Sequence, residues 1–230
     1  MDMDKKIRVG INGFGRIGRA FFKVALERDD MEVVAINDLG DVHNLAYLLQ
    51  YDTVYRVSHF DVSAEVHEDI KKQYLVIEGE KDMKVEVTQE KDPAIIPWGA
   101  LEVDVVVEST GLFVAYDKAL AHIKGGAKAV VISAPAKKGE DESVRGETIL
   151  LGVNEDKFGT TQVTSNASCT TNASSPVIAI LDEVKVKLEN LDKYYIWLVL
   201  AEGWCGDAAQ ILPIIYKMSE VTENVTLKIA

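Results

Sequence analysis

The chain alternates short, strongly apolar runs with stretches whose apolar residues recur three and four positions apart. "KIRVGING" is an apolar run ending in glycine, "RIGRAFFKVALER" carries apolar residues at helical spacing, and "MEVVAIND" is a second apolar run. Strand, helix, strand in that order predicts a βαβ unit. "KQYLVIEGEKDMKVEVTQE" predicts a β-hairpin closed by the tight "EGEKDM" turn. "VDVVVEST" is a nearly continuous β-branched run, the pattern of a parallel strand covered on both faces. A helical "YDKALAHIKGG" ends in glycines, and "AKAVVISAP" is the next buried strand, followed by "ETILLGVN". This alternation predicts an α/β fold with an open, mostly parallel, doubly wound sheet. Further on, the apolar strand "YIWLVLAE" leads through "GWCGD" into a helix, and the short strand "NVTLKIA" gives an incomplete second βαβ unit.

Composition narrows the picture only a little. At 230 residues, 47% hydrophobic and 27% charged, the chain has the profile of an ordinary globular protein with room for a sizeable core. Its net charge of −12 sets up a long-range field that repels phosphate backbones and anionic lipid, so nucleic-acid and membrane partners are disfavoured. No apolar run approaches the ~20 residues that span a bilayer, and "MDMDKK" lacks the hydrophobic segment of a signal peptide. A cytoplasmic location is the expectation. The two cysteines, Cys169 and Cys205, are too few for a disulfide framework and have no metal-ligand companions at useful spacing, so no metal is expected.

The first βαβ unit carries candidate chemistry. Its turn, "GFGRIG", places Gly13, Gly15 and Gly18 at the spacing G-x-G-x-x-G, and Asp38 follows twenty residues later at the end of the next strand. These are the requirements of a Rossmann-type dinucleotide fingerprint. Gly13 allows the tight turn, Gly15 lets a pyrophosphate approach the backbone, and Gly18 lets helix and strand pack closely. The helix N-terminus then holds the phosphates. Asp38 accepts hydrogen bonds from the adenosine ribose and repels a 2′-phosphate, which favours NAD over NADP. The competing reading is a glycine-rich turn that binds nothing.

The second candidate lies in "TSNASCTTN", where Cys169 sits among small polar residues ahead of "TTNASSPVIAILDE", a segment with a polar first turn and then apolar spacing. A thiol at a helix N-terminus is favoured as thiolate. A single cysteine is also often a small buried hydrophobe. A nucleophilic cysteine draws on a nearby base, yet all four histidines, His43, His59, His67 and His122, precede Cys169, and no arginine follows it.

Taken in order, "INGFGRIGR", "VAIND", "LLQYDTVYR", "KDPAIIPWG", "ESTGLF", "GGAKAVVISAPAK", "LGVN" and "SNASCTTN" make residues 5 to about 182 resemble the phosphorylating glyceraldehyde-3-phosphate dehydrogenases. The resemblance implies NAD as cofactor, with Arg16, Ile17, Lys91 and Ser133 as further cofactor-contacting positions beside the three glycines and Asp38. Lys91 stands where the family often has arginine, so its adenine contact is less planar. Cys169 resembles the family's nucleophile and Ser168 and Thr170 its substrate-contacting neighbours. The implied substrate is a small phosphorylated aldehyde: the thiolate attacks it, hydride passes to NAD, and the thioester is released to phosphate. A homo-oligomer is also implied. The loop "KKGEDESVRGE", residues 137–147, is longer and more charged than the family's usual connection, as a surface insertion would be.

The family's second domain, with its histidine and arginine-rich phosphate sites, is not recognisable after about Asp182. "YYIWLVLAEGWCGDAAQILPIIYKM" resembles instead the opening of a thioredoxin-like protein, with Trp204 before Cys205 and Pro213 eight residues after it. Ala208 stands where that family has its resolving cysteine, and without a second thiol a mixed disulfide is not released. The expected organisation is an NAD-binding domain over 1–168, a catalytic-cysteine helix and junction over 169–189, and a partial thioredoxin-like segment over 190–230. Three readings stay open: a dehydrogenase-like protein cut short and catalytically impaired, a dinucleotide-binding module without chemistry, and a single-thiol redox protein acting through Cys205.

Overall fold

Residues 6–141, 143–199 and 206–229 are described by the structure, a computed structural model, with 181–188 and 206–211 described in backbone alone. The chain divides into two units, one of residues 1–148 with 157–166 and one of residues 149–156 with 167–230.

In the first unit the expected βαβ opening is present. Strand β1 (Ile7–Asn12) passes through the glycine turn into helix α1 (Arg16–Leu26) and on to β2 (Met31–Asn37). The helix spaces Gly18, Phe22 and Ala25 on one buried face, the i, i+4, i+7 pattern that commits a helix to a sheet. Helix α2 (Val42–Gln50) follows, its N-terminus capped where Asn44 N–H donates to the Asp41 carboxylate (3.0 Å). A small antiparallel pair, β3 (Tyr51–Asp52) and β4 (Arg56–Val57), precedes β5 (Asp61–His67). The expected hairpin is β6 (Lys72–Glu78) and β7 (Met83–Thr88), antiparallel as predicted.

Strand β8 (Val105–Glu108), short helices α3 (Tyr116–Ala119) and α4 (Ala121–Lys124), β9 (Ala129–Ile132), β10 (Glu147–Thr148) and β11 (Val163–Ser165) complete the unit. The nine-stranded sheet has the order β10-β11-β9-β8-β1-β2-β7-β6-β5. It is parallel from β10 to β7 and antiparallel over β7-β6-β5. The fold class is α/β, doubly wound, as the sequence alternation predicts.

The sheet carries apolar residues on both faces, which explains the unbroken β-branched runs. Val9, Ile11, Val33 and Ile36 pack with Phe22, Leu45 and Leu49 of α1 and α2. On the opposite side Ala35 and Val106 pack with Trp98, Ile96 and Ala127. Gly10 of β1 serves this second face, because a Cβ there would come within 2.6 Å of the Trp98 ring. Strand β5 was not evident as a strand in the sequence. It alternates exposed and half-buried residues at a sheet edge, so its core-facing signal is diluted.

The second unit contains helix α5 (Cys169–Glu189), strand β12 (Tyr195–Val199), helix α6 (Gly206–Ser219) and strand β13 (Val225–Ile229). β12 and β13 pair in parallel, from Tyr195↔Val225 to Val199↔Ile229, with α6 as the crossover, the expected βαβ unit. Pro213 lies inside α6. The segment 149–156 is a turn rather than a strand: Leu150 N–H donates to the Asn154 side chain (2.8 Å), and Gly152 has φ +73°.

The depth of Phe22, fully buried and edge-on to Phe14 at 5.6 Å, sets a test of the core. Phe22→Ala should lower the unfolding free energy of the first unit by about 3–5 kcal/mol in urea denaturation. Val24→Ala, on the exposed face of the same helix, should change it by under about 0.5 kcal/mol.

Candidate functional site

A pocket of about 280 Å³ opens where β1, β2, β7 and β8 end, at the point where the sheet order reverses direction about β1. Such switch points are where open α/β sheets bind ligands. Asn12, Gly13, Gly15, Asn37, Asp38 and Leu39 line one part; Glu90, Lys91, Ser109, Thr110, Leu112 and Phe113 line the rest.

The three glycines meet different demands. Gly13 has φ +89°, and a Cβ there would meet Thr110 N at 2.7 Å, so both conformation and packing exclude a side chain. Gly18 lies so close to β1 that its Cβ would meet the Gly13 carbonyl oxygen at 2.2 Å. Gly15 is different: its φ is −70°, and nothing in the protein lies within 4 Å of where its Cβ would be. The fold therefore does not require glycine at 15. A Cβ at this pocket-lining residue would occupy space beside the mouth, which an approaching ligand needs. Gly15 also caps α1 without a side-chain hydrogen bond, where α2 has the Asp41 carboxylate at its cap, and the first turn of α1 has no acidic residue. The N-terminus of α1 is thus left open to an anion.

Asp38 stands at the pocket's far side. Its Oδ2 accepts Phe14 N–H (2.6 Å) and its Oδ1 accepts Gly40 N–H (2.8 Å), which ties the glycine turn to the end of β2. Each carboxylate oxygen retains a lone pair for a further donor. Asn37 beside it is saturated: it donates to Asn12 Oδ1 (2.8 Å) and the Glu90 carbonyl (2.9 Å), and accepts from Thr88 Oγ1 (2.8 Å) and Glu90 N–H (2.8 Å).

The second unit holds Cys169 as the first residue of α5, and the thiol is free and exposed. Ser168 caps the helix by accepting Thr171 N–H (3.1 Å), and its hydroxyl also bonds those of Thr170 (2.8 Å) and Thr171 (2.7 Å). Ala167, immediately before the cap, has φ +58°, a conformation that turns the chain sharply into the helix. Cys205 and Trp204 lie outside the described residues.

Residues 7–116 match the family described as the glyceraldehyde 3-phosphate dehydrogenase NAD binding domain. This segment is similar to the NAD-binding domain of the glyceraldehyde-3-phosphate dehydrogenases. Residues 159–230 match a thioredoxin family. The chain is 49% identical over 180 residues to glyceraldehyde-3-phosphate dehydrogenase of Streptomyces coelicolor, covering 77% of this chain and 49% of that protein. To glyceraldehyde-3-phosphate dehydrogenase 1 of Bacillus subtilis it is 48% identical over 179 residues, 77% of this chain and 49% of the relative. To the cytosolic enzyme of Trypanosoma brucei brucei it is 45% identical over 177 residues, again 77% and 49%. The chain spans about half the length of the curated relatives it matches.

Of the cofactor-binding positions expected from the sequence of this dehydrogenase-like domain, Gly13, Gly15, Asp38 and Lys91 line the pocket, and Arg16, Ile17 and Gly18 form the first turn of α1. Ser133 is not among the lining residues. It sits just past β9, where its N–H and Oγ–H both donate to the Glu108 carbonyl (3.0 and 2.9 Å) and so join β9 to β8. Asn12, Asn37, Glu90, Ser109, Thr110 and Phe113 are pocket residues not singled out individually from the sequence. The "ESTGLF" motif contained three of them. Among the described residues no group of three or more His, Cys, Asp or Glu is placed to hold a metal ion, and no helix is long and apolar enough to cross a membrane.

Gly15 separates a folding role from a binding role. Gly15→Ala should leave the melting temperature within about 2 °C of wild type and weaken NAD binding at least about tenfold in calorimetric titration. Gly18→Ala should lower the melting temperature as well, because its Cβ overlaps the Gly13 carbonyl.

Proposed function

We propose that this chain binds NAD across the glycine turn and presents Cys169 as a nucleophile toward a small phosphorylated aldehyde, with little turnover by the 230-residue chain itself. The open N-terminus of α1 beside a Gly15 that the fold does not require is the observation that carries the binding half. Gly13, Gly15 and Gly18 let the pyrophosphate reach the α1 amides, Asp38 receives the adenosine ribose, and Arg16, Ile17 and Lys91 flank it. Ser133 acts through β8, whose end it holds. NAD, when bound, supplies the hydride acceptor.

The nucleophile has the features of an activated thiol in part. Cys169 is exposed at the start of a long helix, and Ser168 and Thr170 place hydroxyls beside it. In the proposed reaction the thiolate adds to the aldehyde carbon, and the sulfur is acylated once the carbon is oxidised; phosphate then takes the acyl group and restores the thiol. A general base contributes ~10²–10⁴-fold in such steps. His122 is not free to serve, because it is wholly buried and bonded at both ring nitrogens. His43, His59 and His67, like His122, belong to the first unit and precede Cys169 in the chain. Poor turnover is proposed because no histidine or arginine follows Cys169 in the sequence. A cytoplasmic location, absence of nucleic-acid and membrane partners, and a homo-oligomer complete this reading.

The thioredoxin match over 159–230 supports a second reading, in which Cys205 acts as a single redox thiol. It predicts capture of a model disulfide that is lost in Cys205→Ser and kept in Cys169→Ser.

For the leading reading, titration of the purified chain should show saturable NAD binding, with NADP weaker by about tenfold or more because Asp38 faces its 2′-phosphate. Asp38→Asn should narrow that gap. Iodoacetamide should label Cys169 faster than free cysteine at neutral pH, while steady-state oxidation of glyceraldehyde 3-phosphate stays at least about 10²-fold below that of a full-length relative. Turnover at the relative's rate would overturn the proposed impairment.

A further inference from the structure

Beneath the pocket floor lies a buried charge that the binding reading does not use. Glu108 ends β8 and His122 lies in α4; both side chains have 0% exposure, and Glu108 Oε2 is 2.9 Å from His122 Nε2. The Trp98 indole N–H can only donate, and it points at His122 Nδ1 at 3.0 Å. Nδ1 must therefore accept, which leaves the single ring proton on Nε2, directed at Glu108. His122 is neutral in this arrangement.

Glu108 is surrounded by donors. Oε2 accepts from His122 Nε2 and from Asn12 Nδ2 (2.6 Å). Oε1 accepts Thr110 N–H (2.8 Å) and the Thr110 hydroxyl. Two oxygens that each face two donors fit a carboxylate, the ordinary state of a glutamate side chain and the one that uses all four contacts as donors. No lysine or arginine among the described residues forms an ion pair with it. The core thus holds an uncompensated negative charge, stabilised by dipoles alone.

Its neighbours are the pocket. Asn12 and Thr110, two of its three donor residues, line the cavity, and the third, His122, packs edge-on against Phe113 of the same lining at 6.3 Å. We propose that Glu108 is a positioning residue that fixes the pocket floor through Asn12 and Thr110 and whose buried charge makes the site prefer the oxidised dinucleotide over the reduced one. NADH carries one more negative charge than NAD+, so a fixed anion near the site disfavours NADH selectively. A unit charge shifts such a ratio by roughly tenfold for a ring bound about 10 Å from it in an effective dielectric of about 20. A purely structural Glu108 would shift both affinities together. The inference rests on the dinucleotide reading of the pocket.

The test is calorimetric titration of the full chain and its Glu108→Gln and Glu108→Asp variants with NAD+ and with NADH. Glu108→Gln keeps the shape and removes the charge, so the ratio of the NADH to the NAD+ dissociation constant should fall about tenfold. Glu108→Asp restores the charge and should return the ratio toward wild type even where both affinities weaken. A ratio that stays within about twofold in Glu108→Gln, with both affinities changed alike, overturns the proposal. Should the variants fail to fold, the wild type is titrated with NAD+ and with the uncharged benzamide isostere of NAD+; tighter binding of NAD+ supports the charge preference, and equal affinities overturn it. Wild type that binds neither NAD+ nor NADH overturns the dinucleotide reading and this inference with it.

Discussion

The close approach of α1 to β1 is the constraint around which the first unit is arranged. At Gly18 the helix runs so near the strand's final turn that a single methyl group would overlap the Gly13 carbonyl. This contact fixes the direction of α1, which sends Phe22 and Ala25 into the core and turns the helix N-terminus toward the pocket. The strand it packs against, β1, is the central one, flanked by β2 and β8. A looser junction would cost buried apolar area at roughly 25 cal/mol per Å² and would move the amides that face the ligand. Stability and recognition therefore depend on the same missing side chain.

A second layer of order is polar. Asn12, Asn37 and Glu108 are buried at the ends of β1, β2 and β8, with His122 of α4 buried beside them, and every one has hydrogen-bond partners. Burying such groups without partners would cost several kcal/mol each. Satisfied, they tie β1 to β2, β8 and α4 in one geometry, which apolar packing alone specifies less sharply. The network sits where strands end and the pocket begins, so the positions that line the cavity inherit the rigidity of the core.

The sequence made the first βαβ unit readable because pattern, glycine spacing and Asp38 all pointed the same way, and the paired strands β12 and β13 followed from the apolar runs "YIWLVLAE" and "NVTLKIA". The N-terminal position of Cys169 on a helix was equally plain from its polar first turn. Other features were hidden for physical reasons. The pocket draws Thr88-bonded Asn37, Glu90 and Thr110 from strands far apart in the chain, and no local period brings them together. Strand β5 lies at an edge and mixes charges with half-buried residues. Residues 149–153, "ILLGV", are apolar in sequence, yet the Asn154 side chain accepts the Leu150 N–H and closes a turn there. His122 reads as one polar residue in a helix, and only its position opposite Trp98 and Glu108 reveals a committed tautomer.

The two units differ in how deeply their backbones are protected. In the first, central strands such as β1 and β8 have neighbours on both sides and side chains covered on both faces. In the second, β12 and β13 form a two-stranded parallel pair, and Tyr195, Ile196, Leu198 and Ile229 remain exposed. A sheet of that width holds few cooperative contacts, so it opens at a small free energy while the nine-stranded sheet stays closed. In amide exchange the chain would accordingly behave as two bodies on separate clocks: deuterium enters the β12–β13 ladder early, and a protease able to seize an open strand would trim this unit back toward the dinucleotide domain.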